Sequence, residues 1–157
     1  MDVAGVHVRA WQVGYRGLVP DTYLDGLRAE QRASRYTFGR TEPDLPHTIV
    51  AIDDGTLVGF ATTQPSREAD LPSAAELSAL YVEPSMWSRG AGRLLIGEAR
   101  AHLRRGGFTE AVLWVLVGND RAQRFYRADG WWPDGRRHQE EVWGVLVDSI
   151  RYRRNLG

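Results

Sequence analysis

Leu80-Tyr81-Val82-Glu83-Pro84-Ser85-Met86-Trp87-Ser88-Arg89-Gly90-Ala91-Gly92-Arg93-Leu94-Leu95 passes from an apolar, strand-like segment, through a turn, into a helix. Ala75 to Val82 reads as a strand, ended by Glu83-Pro84. Arg89 to Arg105 reads as an amphipathic helix, with Leu94, Leu95, Ala99, His102 and Leu103 as its inner stripe and Gly106-Gly107 closing it. Glycines let backbone N–H groups approach an anion, and a helix N-terminus adds partial positive charge. Arg89 and Arg93 add charge-assisted donors. The junction therefore suits a phosphate or pyrophosphate. A plain glycine turn before a helix looks the same, so Gly90-x-Gly92 alone does not decide. A dinucleotide fingerprint lacks its third glycine and its acidic ribose ligand. A P-loop lacks its Gly-Lys-Ser/Thr.

Upstream, Val3, Val6, Ala10, Trp11, Gly14, Tyr15 and Leu18 recur at helical spacing, with Asp2 as a possible cap. Val6, Val8 and Ala10 also alternate, so a strand is the rival reading; helix is preferred, stopped by Gly17 and Pro20. A second helix opens at Pro20-Asp21 and continues to about Phe38. Thr41 to Pro46 is a link, His47 to Ile52 a strand, Asp54-Gly55 a hairpin turn, Thr56 to Thr63 its partner, and Pro65 to Pro72 an exposed loop. Downstream, Glu110 to Val117 is a buried strand. Asn119 to Ala128 is a short helix with Ala122, Phe125 and Tyr126 inward, ended by Gly130. Strands follow over Trp131 to Arg137 and Glu141 to Arg153. The order predicts one α+β (mixed α/β) layered domain over residues 1–157.

The strand and glycine turn resemble the cofactor motif of the GNAT acyltransferases, Gln/Arg-x-x-Gly-x-Gly/Ala. Gly90 and Gly92 match; Trp87 departs from the first position, and Ser88 replaces a frequent glycine. A second segment, Asn119-Asp120-Arg121-Ala122-Gln123-Arg124-Phe125-Tyr126-Arg127-Ala128-Asp129-Gly130-Trp131, is similar to the family's Asn-x-x-Ala-x-x-Phe-Tyr-x-x-x-Gly-Phe, with Trp131 for the last Phe. The N-terminal run through Trp11, Tyr15, Gly17, Pro20 and Leu24 also looks like one branch of the family.

The resemblance implies a mostly antiparallel mixed sheet, splayed between two parallel strands, Ala75–Val82 and Glu110–Val117, with acetyl-CoA in the gap. Unpaired backbone of Leu80, Tyr81 and Val82 would bond the pantetheine as an added strand would. Trp87, Ser88, Arg89, Gly90, Ala91, Gly92 and Arg93 would hold the pyrophosphate. Ala122 and Phe125 would line the same site, with Phe125 packing. Asn119 would bond the pantetheine or simply cap its helix. The N–H of Leu80 would polarise the thioester carbonyl. Tyr126 would protonate the departing thiolate; its ordinary pKa of roughly 10 nearly matches an alkyl thiol. Glu76 would take the proton of an ammonium acceptor, directly or through water. Family members usually open with a strand, so here the first strand is missing or residues 1–8 form one; a strand over Val3 to Ala10 would contradict the helix reading.

Trp11, Tyr15 and Tyr23 belong either to the acceptor wall or to the core, and His7 is placed where it could face the acceptor. His47, His102 and His138 form no sequence cluster, and His102 reads as packed. Trp131, Trp132 and Trp143 suggest a homodimer interface or the far wall of the pocket. The chain has no cysteine, which excludes disulfides and thiolate chemistry, and all 20 of its basic residues are Arg, which excludes lysine chemistry. The net charge of +0 argues against nucleic acid, and no apolar run suits a membrane, so a cytoplasmic protein is expected. The leading expectation is acetyl transfer to a primary amine of a small molecule. The alternatives are a peptide N-acetyltransferase and a non-catalytic acyl-CoA sensor.

Overall fold

The computed structural model describes residues 2–28, 46–142 and 145–157. Among them α1 spans Asp2–Gly14, α2 Asp21–Asp25, α3 Ala91–Arg105 and α4 Asp120–Ala128; a 3-10 turn covers Pro84–Met86. Strands are β1 His47–Asp53, β2 Thr56–Pro65, β3 Ala75–Val82, β4 Glu110–Leu116, β5 Trp132–Val142 and β6 Val145–Asn155. They form one sheet in the order β1-β2-β3-β4-β6-β5. Only β3–β4 is parallel; the other pairs are antiparallel. This is the α+β arrangement the sequence implied. Residues 2–14 are helical, so the rival strand over Val3 to Ala10 does not form. Alternation there belongs to a helix buried almost all round: Val3, Val6, Val8, Ala10 and Trp11 all lie in the core.

The sheet carries two apolar layers. On one face Leu95, Ile96, Ala99 and Leu103 of α3 meet Ala75, Leu77, Leu113, Val115 and Tyr152, with Phe125 and Tyr126 of α4 packed on. On the other face α1 and α2 cover Phe60, Leu116 and Val147. A bulge in β3 decides which residues face which layer. Thr62 pairs with Ala79 but Thr63 with Leu77, so Ser78 is the extra residue, and its hydroxyl donates to the Thr62 carbonyl at 3.2 Å. Below the bulge Ala75 and Leu77 face α3; above it Leu80 and Val82 do, while Ala79 and Tyr81 turn toward α1. Strict alternation would have put Leu77, Ala79 and Tyr81 on one face.

Three expectations need correction. Leu94 is not part of the α3 stripe: it is 72% exposed, and Ile96 takes its place, because the helix begins at Ala91 and the inward arc falls on residues 95, 96, 99 and 103. The last hairpin lies later than expected, with β5 reaching Val142. The polar run His138 to Glu141 hid it, as expected for an edge strand with a solvated face; Pro133 is tolerated at such an edge. Of the C-terminal tryptophans, Trp131 belongs to the core rather than to an interface or a pocket wall. Trp131 is 1% exposed and donates its indole N–H to Asp129 at 3.0 Å, Trp132 is 61% exposed, and Trp143 lies outside the described residues. The expected helix from Pro20 is seen only as α2; its continuation to Phe38, and most of the Thr41–Pro46 link, also lie outside them.

Candidate active site

β3 and β4 pair only at Ala75↔Ala111 and Glu76↔Val112. Beyond those two rungs they separate, and a cavity of about 820 Å³ opens between them. Leu80, Tyr81 and Val82 line it from β3, Trp87, Ser88, Gly90, Gly92 and Arg93 from the turn and α3, and Asn119, Ala122, Phe125 and Tyr126 from the second motif. The two motifs thus meet on one cleft. Arg89 and Ala91 are not among its lining residues.

Local backbone explains the turn. Ser88 has φ +64 and Gly90 φ +92, so two left-handed residues curl the chain just before α3. Such curls gather N–H groups into an anion-binding concavity. Gly90 tolerates this without cost, whereas Ser88 is strained by roughly 1–2 kcal/mol; this is where the family often has glycine. A Cβ on Gly92 would lie 3.3 Å from the Phe125 ring, so glycine lets α3 and α4 approach beside the curl. Trp87 points inward: its indole N–H donates to the Val82 carbonyl at 2.8 Å, and the guanidinium of Arg121 lies 3.8 Å over its ring.

α4 is fixed at its far end. Arg100 makes a bidentate pair with Asp129 at 2.9 Å and Arg154 donates to the Asp129 carbonyl, while nearer the helix start Tyr152 donates to Gln123 at 2.9 Å. At its near end Asn119 Oδ1 accepts from the Ala122 N–H at 3.2 Å. Asn119 is therefore an N-cap, and it also lines the cleft. Tyr126 is half-buried in the cleft wall. Burial, with Tyr81 as a lesser influence, pushes its hydroxyl pKa above the ordinary phenol value. The proton therefore stays on at neutral pH. Its release is costlier than the near-matched exchange inferred from sequence, by 1.36 kcal/mol per pKa unit.

Glu76 is buried, and Arg67 grips its carboxylate with two bonds, at 3.0 and 3.1 Å, while Gln64 adds a third at 3.3 Å. It does not line the cleft. Sequence reasoning missed Glu68, whose carboxylate accepts from the indole N–H of Trp114; Trp114 does line the cleft. The His138 ring packs against Trp114, with ring centres 3.6 Å apart and planes tilted by 32°. His7 is packed against Tyr81 at 4.4 Å. Trp11 is core, Tyr23 packs against that core, and Tyr15 lines the cleft. His47 and His102, remote in sequence, stack at 3.9 Å; burial, then His47 and Arg105, lower the pKa of His102. Arg121 and Arg124 are further lining residues that the motif reading passed over. A signal was present: Arg121 is basic in the first turn of a helix, where the dipole opposes it.

Comparison with known proteins now decides the family. The model of the acetyltransferase (GNAT) family matches residues 11–131. The chain belongs to the GNAT family. It is 30% identical over 119 residues to the uncharacterized N-acetyltransferase YuaI of Bacillus subtilis, covering 75% of this chain and 66% of that protein, just under two thirds of its length. In fold, this GNAT chain is similar to a GCN5-related N-acetyltransferase from Kribbella flavida, with a TM-score of 0.72, 22% identity, and coverage of 98% and 90% of the two chains. It is also similar to the PaiA N-acetyltransferase of Thermoplasma acidophilum, solved in complex with coenzyme A, with a TM-score of 0.68, 20% identity, and coverage of 97% and 89%. The cofactor of this family is acetyl-CoA, and the cleft fits it on its own terms: a strand edge left open by the splay, a left-handed curl at a helix start, and guanidinium groups at the mouth. No helix among the described residues is long and apolar enough to cross a membrane.

Proposed function

We propose that this domain transfers the acetyl group of acetyl-CoA to a primary amine of a small molecule, by direct attack with both substrates bound. The observation carrying this reading is the cleft itself. It runs from the curl at Ser88–Gly90 along the open edge of β3 to Leu77 and Trp114, and Ala10, Val13 and Tyr15 at the end of α1 add a largely apolar wall next to Trp87, where a small acceptor would enter. Acetyl-CoA supplies the acyl group as a thioester, already activated toward an amine.

The chain's residues then divide the work. Backbone of Leu80, Tyr81 and Val82 holds the pantetheine as an extra strand, and the Leu80 N–H donates toward the oxygen that gains charge. The curl from Trp87 to Arg93 holds the pyrophosphate. Tyr126 donates its hydroxyl proton to the departing sulfur. Glu76 takes the ammonium proton through water, since its carboxylate lies outside the cleft lining and is gripped by Arg67.

The test is thiol release from acetyl-CoA against a panel of primary amines. Turnover on a small amine supports the reading; cofactor binding with no turnover on any amine or basic peptide points to a sensor. Tyr126→Phe is expected to lower kcat by about 10²- to 10⁴-fold, the usual size of a lost general acid. An unchanged kcat removes Tyr126 from that role. Because its pKa is raised, kcat should show no alkaline decline from Tyr126 between neutral pH and pH 10 or so. Glu76→Gln should lower kcat/KM at neutral pH while leaving cofactor affinity intact.

A further inference from the structure

Four of this chain's arginines stand around the curl: Arg89 lies within it, and Arg93, Arg121 and Arg124 line the cleft from α3 and α4. None has a carboxylate partner among the described residues. Arg121 is the most constrained of them. Its guanidinium rests 3.8 Å above Trp87, and the Trp87 ring is itself fixed by the bond from its indole N–H to the Val82 carbonyl. Trp87, itself extended, immediately precedes the curl at Ser88–Gly90. It also occupies the position where the family motif carries Gln or Arg.

From this geometry we infer that Arg121, held on the indole of Trp87, is a ligand for a phosphate group of the cofactor, replacing from the second motif the donor that Trp87 removed from the first. The inference rests on the reading of the cleft as a coenzyme A site.

Three observations favour this over a simple surface stack. An exposed cation–π contact contributes only about 0.5–1 kcal/mol, yet Arg121 bears two opposing costs. It sits in the first turn of α4, where the helix dipole repels a cation. Its charged form is also disfavoured: partial burial lowers its pKa first, and neighbouring Arg124 lowers it further. A bound phosphate would reverse both costs, since it neutralises the two guanidiniums and suits the positive end of the helix. Asp120, adjacent in sequence, forms no ion pair with Arg121.

Coenzyme A offers two phosphate sources, the pyrophosphate and the 3′-phosphate, and calorimetric titration of the full chain with CoA and with dephospho-CoA separates them. Arg121→Ala is expected to weaken CoA binding about ten- to a hundredfold, as for a lost charged hydrogen bond. An equal loss with dephospho-CoA assigns the pyrophosphate; a loss confined to CoA assigns the 3′-phosphate. Trp87→Phe, which keeps a ring but removes the indole N–H, should weaken binding by a smaller factor. Arg121→Lys should recover only part of the loss, because it keeps the charge without the planar stack. Thermal unfolding of each variant checks that the fold survives. If Arg121→Ala changes the Kd of both ligands less than twofold in a folded protein, the inference is wrong. If the wild-type chain binds neither ligand, the cofactor reading fails first and takes this inference with it.

Discussion

The arginines at the two ends of the cleft are used differently. Beyond Trp114, the guanidinium of Arg151 is only 3% exposed and is shared between Asp70 and Asp134, with bonds of 2.7 to 2.9 Å. Arg137 pairs with Asp148, and Arg67 with Glu76. Around the curl, Arg89, Arg93, Arg121 and Arg124 have no such partner among the described residues, and the one strained non-glycine residue beside them is Ser88. The first group is balanced within the fold and the second is left over beside the cleft; Arg105 and Arg127, which also lack a carboxylate partner among the described residues, do not line it.

The sharpest way to break this contrast is to remove one arginine from each region. Arg151→Ala strands Asp134 and opens a buried site, and should lower unfolding free energy by about 3 kcal/mol in urea titration. It should leave CoA affinity unchanged. The pH dependence of stability gives a second, smaller difference. Arg151 holds the Asp70 carboxyl far below the usual carboxylate range. The resulting stabilisation is complete above about pH 4 and is lost as pH falls from there toward the depressed value. Arg151→Ala should therefore flatten the acid limb of the stability curve. Ser88→Gly should raise stability by about 1 kcal/mol in thermal melts, by relieving its left-handed backbone. Arg121→Ala should change stability by no more than about 0.5 kcal/mol. If it destabilises the chain as much as Arg151→Ala does, the division between holding and binding arginines is wrong.

The glycine turn and both motifs were legible because each local preference agreed with its place: an apolar strand, a curl needing glycine, an amphipathic helix, an asparagine cap. The bulge at Ser78 was not legible, because nothing in the alternation of Ala75 to Val82 marks where the pleat slips by one. Its consequence reaches the site, since it turns Leu80 and Val82 toward α3 and Tyr81 toward α1, the reverse of what strict alternation from Leu77 would give. Leu94 misled because leucine at the start of a helix matches the period before the helix has turned inward. Glu76 was singled out for its position in the strand; its grip by Arg67 joins two segments whose proximity only the fold creates. The Trp87–Arg121 stack was invisible for the same reason, although an arginine in the first turn of α4 was a hint.

The seam between β3 and β4 has a mechanical consequence. Two rungs, Ala75↔Ala111 and Glu76↔Val112, are all the ladder that joins the leading three strands to the trailing three. The sheet is therefore a pair of leaves sewn at one end. Backbone amides above the stitches should exchange with deuterium sooner than those in the β2–β3 or β4–β6 ladders. A cofactor lying along the open margin would act as a splint across the leaves. At a concentration a hundred times its Kd it would raise the stability of the whole sheet by about 2.7 kcal/mol, so the domain should be sturdiest when it is charged for work.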